Sequence, residues 1–459
     1  MRSIRVFLLG ATFAIVACDS DTVGGTSTAP PVEPSLDVQV RQAIQQWGVA
    51  PLLPLAPQNP ALVELGRSLF FDKILSGNRD VSCATCHDPL TQGGDGRSLA
   101  VGTGATVRGG VRTLGPGRDF TPRNAPSLFN AGLGVFYMFW DGRVSDQFGG
   151  GRFQTPAGLT LPGTLPNLLA AQAMIPVTNR VEMRGLPGDR DVFGNSNELA
   201  VLPDTDNAAI WSAAVRRITG VSGYLEKFAV AYPGLPSSSI GFEHVANAIA
   251  AFEVQTFAAK TNTPFDRFLA RDNNAMSVDA KRGALLFFGR ATCSSCHNGA
   301  LLGGQVFASV GVPQIGPGMG SSAPLDAGRD ASLGGPRTGQ FFQFRAPPLR
   351  NVELTAPYMH NGAYPNLETV VRHYSNVDSA IKAFDVSQLD PSLRASYHGD
   401  AATISKVLTS VDPRVRVSIR LTPEEQTQIV AFLKSLTDPS ARDMSGIIPA
   451  SVPSGLPVR

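Results

Sequence analysis

The sequence is poor in cysteine, histidine and long apolar runs, and each shortage narrows what it can encode. Of 459 residues, five are cysteine and six histidine. Four cysteines fall in two Cys-x-x-Cys-His clusters and the fifth is Cys18. None is left for a structural disulfide, the usual staple of exported domains. No Lys/Arg cluster stands out, and a formal net charge of +2 gives no electrostatic footprint for nucleic acid. The apolar run Val6–Ala17 is too short to span a bilayer. Strand-like alternation is scarce, which points to an all-α fold.

That short apolar run follows Arg2 and Arg5 and ends in Ile15-Val16-Ala17-Cys18, which resembles a bacterial lipoprotein cleavage box. Residues 1–18 are therefore expected to be a signal peptide. Cleavage would leave a lipidated Cys18 tethering an exported, periplasmic protein to the membrane. Residues 19–36, rich in Thr, Gly and Pro, read as a flexible linker. The length and a 43% hydrophobic content fit two or three globular domains. Gly (47) and Pro (35) are abundant but short of a disordered composition, so long ordered loops are expected.

The clusters Cys83-Ala84-Thr85-Cys86-His87 and Cys293-Ser294-Ser295-Cys296-His297 carry the chemistry. Two thiols at this spacing form thioether bonds to the vinyl groups of one porphyrin, and the adjacent imidazole lies under its iron. The reading is two haem c groups and redox function. Zinc ligation and a redox dithiol are the competing uses of such cysteines.

An internal repeat organises the chain. Gly66-Arg67-Ser68-Leu69-Phe70-Phe71 precedes the first cluster and Gly283-Ala284-Leu285-Leu286-Phe287-Phe288 the second. Each half is expected to be a cytochrome c-like domain with long loops packed around its haem. The expected boundaries are 37–260 and 261–440, with a junction at Lys260–Pro264 and a tail at 441–459. A helix is expected from about Gly241 to Ala258. Another follows Thr422 as N-cap, with Pro423 at N1, Glu425 closing a capping box, and Ile429, Phe432, Leu433 and Leu436 on one stripe.

Whether an iron moves electrons or attacks substrate depends on its sixth position. The stretches Leu65–Asp72, Arg123-Asn124-Ala125-Pro126-Ser127, Trp140-Asp141-Gly142-Arg143, Val181-Glu182-Met183 and Leu349–Tyr358 resemble, in matching order, the bacterial dihaem cytochrome c peroxidase and MauG family. The resemblance implies a peroxidatic first haem with Glu182 as the catalytic glutamate, Gln172 as the distal glutamine and Pro176 as the distal proline. Taken without the resemblance, Glu182 reads as a surface carboxylate paired with Arg180 or Arg184. The resemblance also implies that Trp140 lies between the haems, and that Asn124, Thr355 and Pro357 hold a calcium ion. His360 falls in a family motif, with no role that can be derived. His244 and His398 are expected to be structural.

One position departs from the well-studied peroxidases. Thr103, in Val101-Gly102-Thr103-Gly104, stands where a histidine caps the first iron, so a first haem open at rest is expected, as in MauG-like members. The loop Ser145–Leu169 is the remaining source of a cap. For the second iron, beyond His297, the candidates are Met359, His360, His373 and Tyr374. Leu367, Val370, Val371 and Tyr374 share one face of a helix started by Asn366, with His373 pointing elsewhere. The resemblance places the ligand on this helix and so favours Tyr374. The function implied is reduction of hydrogen peroxide with electrons from a small cytochrome c or cupredoxin. A MauG-like oxidase acting on a protein substrate and a plain dihaem electron carrier are the alternatives. The family also implies a homodimer.

Overall fold

The computed structural model describes residues 34–52, 55–146, 149–258, 262–333 and 339–459. The expected leader, Cys18, the linker up to residue 33 and the Lys260–Thr261 part of the junction lie outside the described residues. Among the described residues, strand is confined to three two-stranded antiparallel ladders, Thr106–Arg108 with Val111–Thr113, Tyr137–Met138 with Val144–Ser145, and Phe307–Ala308 with Phe344–Arg345. The remaining regular structure is helical, as the scarcity of alternation implies.

Two main hydrophobic cores are built on one plan. In the first, the Pro60–Phe71 helix, capped by Asn59 on Ala61 N, packs on the Phe242–Glu253 helix. In the second, Val278–Phe288, capped by Ser277, packs on Pro423–Lys434. The repeated Phe-Phe pairs meet edge to face in both, at 5.3 Å and 67° for Phe70–Phe71 and 5.1 Å and 68° for Phe287–Phe288. Each pair then meets a phenylalanine of the partner helix, Phe252 at 5.1 Å from Phe70 and Phe432 at 5.0 Å from Phe287.

The Thr422 capping box forms as expected, with Glu425 N donating to Thr422 Oγ1 at 3.2 Å and Thr422 N to Glu425 Oε2 at 2.9 Å. Ile429, Phe432, Leu433 and Leu436 are buried below it. The helix expected up to Ala258 is α-helical to Glu253 and then widens into a π-turn, Val254–Ala258.

Both ends of the described residues cross to the other half. The Leu36–Gln45 helix belongs to the second core and not to the half that follows it in sequence. Val40 and Ile44 are buried there, Arg41 donates to Phe268 O at 2.7 Å, and Lys281 pairs with Asp37 at 2.6 Å. Residues 441–459, read as a tail, lie on the first core, where Ala441, Met444, Val452 and Leu456 are buried. Short apolar segments mark themselves for burial but do not name the surface that buries them.

Candidate active site

Both Cys-x-x-Cys-His clusters open into one continuous cavity, lined by Cys83, Cys86, His87, Cys293, Cys296 and His297. The clusters adopt matching turns, since His87 N donates to Cys83 O and His297 N to Cys293 O, each at 2.9 Å. Each imidazole is oriented through Nδ1, which meets Gly93 O at 3.0 Å in the first cluster and Leu302 O at 3.1 Å in the second. A carbonyl partner puts the proton on Nδ1 and leaves the Nε2 lone pair for a metal. The four thiols are unpaired. Burial pushes Cys83 and Cys293 up to about 12 and raises Cys86 and Cys296, the opposite of what a redox dithiol needs. No group of three His, Cys, Asp or Glu side chains suited to a metal ion occurs among the described residues. Two thiols, an imidazole with a free Nε2 and an apolar cavity fit a covalently held porphyrin at each end.

Above the first cluster, a compact run of turns brings Gln172, Pro176 and Glu182 to the same cavity. Asn167 caps the Leu168–Ala173 helix, Pro176 begins a single 3₁₀ turn, and Asn179 caps the π-turn Arg180–Arg184 through the amides of Val181 and Glu182. Three chain segments pin that π-turn. Gly77 N donates to Met183 O at 2.7 Å, Thr103 N to Glu182 O at 3.0 Å and Asn197 Nδ2 to Arg184 O at 2.8 Å. Gly102 approaches so closely that a Cβ there would fall on Val181 O.

Glu182 is enclosed, and burial raises its carboxyl above the usual range against the opposing pull of Arg143. Its side-chain contact is Asn179 Nδ2 at 3.3 Å. Arg180 and Arg184 both pair with Asp204, which removes the reading of Glu182 as a surface ion-pair partner. Thr103 is buried and turned away from the cavity, its hydroxyl donating to Asp80 Oδ1 at 2.6 Å. Of the described residues in the 145–169 loop, Leu169 alone reaches the cavity.

At the second cluster, Met359, His360 and Tyr374 line the cavity and His373 does not. His373 is buried on another side of the Leu367–Ser375 helix with both nitrogens engaged, Nε2 donating to Val310 O at 2.7 Å and Nδ1 accepting from Tyr364 Oη at 2.8 Å. Burial pushes it down to about 4, so it is neutral. Tyr374 faces Cys293 and Cys296, and burial followed by those two thiols raises its hydroxyl. Trp140 also lines the cavity and donates from Nε1 to Asn124 O at 2.9 Å. Asn124, Thr355 and Pro357 line the same cavity. Asn124 Nδ2 donates to Arg97 O at 2.7 Å, which turns Oδ1 the other way, and the carbonyls of Thr355 and Pro357 accept no hydrogen bond from the described residues. Such neutral oxygens suit a hard cation.

The chain matches the family model for di-haem cytochrome c peroxidase over residues 60–274, and a RoxA-like, cytochrome c-like model over 343–376. It is 31% identical over 348 residues to a cytochrome-c peroxidase of Pseudomonas sp., covering 71% of this chain and 76% of that one. The chain belongs to the di-haem cytochrome c peroxidase family. It is also 29% identical to the methylamine utilization protein MauG of Methylorubrum extorquens, over 82% of this chain and 87% of that protein. Among solved structures, a MauG-like protein associated with microbial copper homeostasis superposes with a TM-score of 0.58 at 25% identity, covering 92% of this chain and 99% of that one.

Membership in a di-haem family implies two haem c groups, one for each Cys-x-x-Cys-His cluster. Four further side chains line the cavity, Arg143, Glu253, Arg345 and His360, of which the sequence offered only His360 a role, as a candidate for the second iron. Glu253 is a lone carboxyl at the end of the apolar run Ile249–Phe252. Its Oε2 is unpartnered, and burial alone pushes it up to about 8. His360 stacks on Phe344 at 3.5 Å and 10°, with Nε2 unpartnered and burial holding it down at about 3. A charge inside an otherwise apolar stretch is the signal that marks such residues. His244 accepts from Gly241 N and His398 meets Gly316 O, both outside the cavity.

Proposed function

We infer that this protein is a di-haem c-type peroxidase that reduces hydrogen peroxide to water with electrons from a small cytochrome c or cupredoxin. The observation that carries this is the enclosed, unpaired Glu182 facing the same cavity as Gln172, Pro176 and His87. Cys83, Cys86 and His87 would hold a haem, which would supply iron for peroxide cleavage. The balanced reaction takes one peroxide, two electrons and two protons to two waters.

The chain's own residues do the rest. His87 offers Nε2 because Gly93 O holds its other nitrogen. Gln172 presents an amide that orients peroxide. Glu182 moves a proton from the inner peroxide oxygen to the leaving one, a task for which a carboxyl raised by burial is suited. Pro176 fills the wall beside them without adding a competing donor. Tyr374, with His297, would hold the second haem, supported by its place against Cys293 and Cys296. Trp140 relays electrons between the two halves, and Asn124, Thr355 and Pro357 hold calcium. The two cores correspond to the two cytochrome c-like domains. The protein is exported to the periplasm and anchored through Cys18. It works as a homodimer.

A second reading is favoured by Thr103, which is tied to Asp80 and unable to cap the first iron. In that reading the same oxidising equivalents modify a partner protein, as the MauG relatives suggest. Mixing the oxidised and half-reduced protein with peroxide and following reduced cytochrome c separates the readings. Rapid turnover establishes the peroxidase; peroxide consumption without cytochrome oxidation transfers the function to a partner protein. No reaction in either state leaves an electron carrier.

A further inference from the structure

Among the described residues, the four buried arginines each have a carboxylate, and half-buried Arg345 differs from them. Arg123 lies between Asp141 and Asp326, Arg350 meets Asp266 at 2.6 Å, Arg184 meets Asp204, and Arg217 meets Glu198. Arg345 has none among the described residues. The nearest acid, Asp141, is already held by Arg123, Arg143 and the Ser332 hydroxyl. Among the described residues the guanidinium makes one hydrogen bond, Nε to Phe139 O at 3.2 Å, and Arg345 lines the cavity. Enclosure depresses it to about 10. A guanidinium that lines a cavity with no carboxylate beside it favours an anion there, so the site as built calls for one.

Its place on the strand indicates which anion. Arg345 pairs with Phe307 in the loop that follows the second cluster, and two residues later Pro347 O faces His297. On its other side, Arg345 N donates to Trp140 O at 2.7 Å. An anion bound by Arg345 would therefore lie beside the second cluster and next to the tryptophan. Every haem c carries two carboxylates of its own, on the propionate arms.

We propose that Arg345 is the counter-ion of a propionate on the haem attached at Cys293 and Cys296, and that its bonds to Phe139 and Trp140 fix this haem edge against Trp140. The proposal rests on the di-haem reading. Arg345 is a positioning residue: its charge favours the reduced second haem, and its backbone holds the route to the first.

The test uses the holoprotein and its Arg345→Gln and Arg345→Lys variants. Haem per chain is measured first, and then the midpoint potential of each haem by spectroelectrochemistry. Two haems per chain are expected throughout, with the second haem's potential lowered in Arg345→Gln, lowered less in Arg345→Lys, and the first haem's potential unmoved. The lysine variant keeps the charge and so reports even where the glutamine variant fails to fold. Two haems with an unmoved second potential in the variants, or a shift in the first haem instead, overturn the proposal alone. A parent protein with fewer than two haems overturns the di-haem reading and the proposal with it.

Discussion

At the scale of single residues, the cavity separates two buried carboxyls by their neighbours. Glu182 faces Arg143 and touches Asn179, whereas Glu253 has burial alone acting on it. Glu182→Gln keeps the shape and loses the exchangeable proton. Peroxide turnover should fall by about 10²–10⁴-fold with two haems still attached, and unchanged kinetics would remove Glu182 from the mechanism. For Glu253 the consequence is stability. Its folded value, pushed up to about 8, lies above the ordinary 4.5. Between these values the native state holds a proton that the unfolded chain has released, so stability falls as pH rises through this window and levels off beyond it. Glu253→Gln should flatten that fall, worth on the order of 4 kcal/mol. Urea unfolding of parent and variant at pH 5 and pH 9 measures it, and parallel pH profiles would refute it. Sequence marks Glu182 through its motif, whereas Glu253 and Arg345 show only a charge in an apolar stretch, which does not say what encloses them. Burial of a charge is a tertiary property.

At the scale of elements, the repeat is legible because its glycines and phenylalanines have one job in both halves. A Cβ at Gly66 would fall on Ala248 O, and one at Gly283 on Gln428 O. Each glycine lets a helix lie directly on its partner's backbone, and the Phe pairs fill the space alongside. Gly66→Ala and Gly283→Ala should each cost about 3 kcal/mol or more, although alanine favours an isolated helix by roughly 1 kcal/mol. Thermal unfolding of each variant measures the balance, and a raised Tm in either would show that the helices can part at no cost. The Leu367–Ser375 helix marks the limit of periodic reading. Its apolar stripe places Tyr374 on the cavity, but His373 is buried too, because Tyr364 and Val310 cover a second side. A hydrophobic stripe reports one buried face and is silent about a polar one.

At the scale of the molecule, the chain is laced so that neither half is made from one continuous segment. The first helix lies on the second core, and the last residues return to the first. That return is specific. Asp72, fully buried, accepts from Tyr224 Oη at 2.8 Å and Ser454 Oγ at 2.7 Å, Arg67 Nε donates to Ile447 O at 2.7 Å, and Arg459 pairs with Asp88, next to His87, at 2.8 Å. Removing residues 442–459 would strip Met444, Val452 and Leu456 from the first core and leave Asp72 without its serine. Each apolar side chain lost is worth roughly 1.5–3 kcal/mol in transfer terms, less the entropy of ordering the segment. The truncated holoprotein should unfold at lower temperature around the first haem, with the absorption of that haem changing before that of the second. A single coincident transition at the parent's Tm would mean that the C-terminal segment only rests on the surface. The expected asymmetry follows from the lacing itself: the second core contains none of these residues, so it loses no buried apolar side chain.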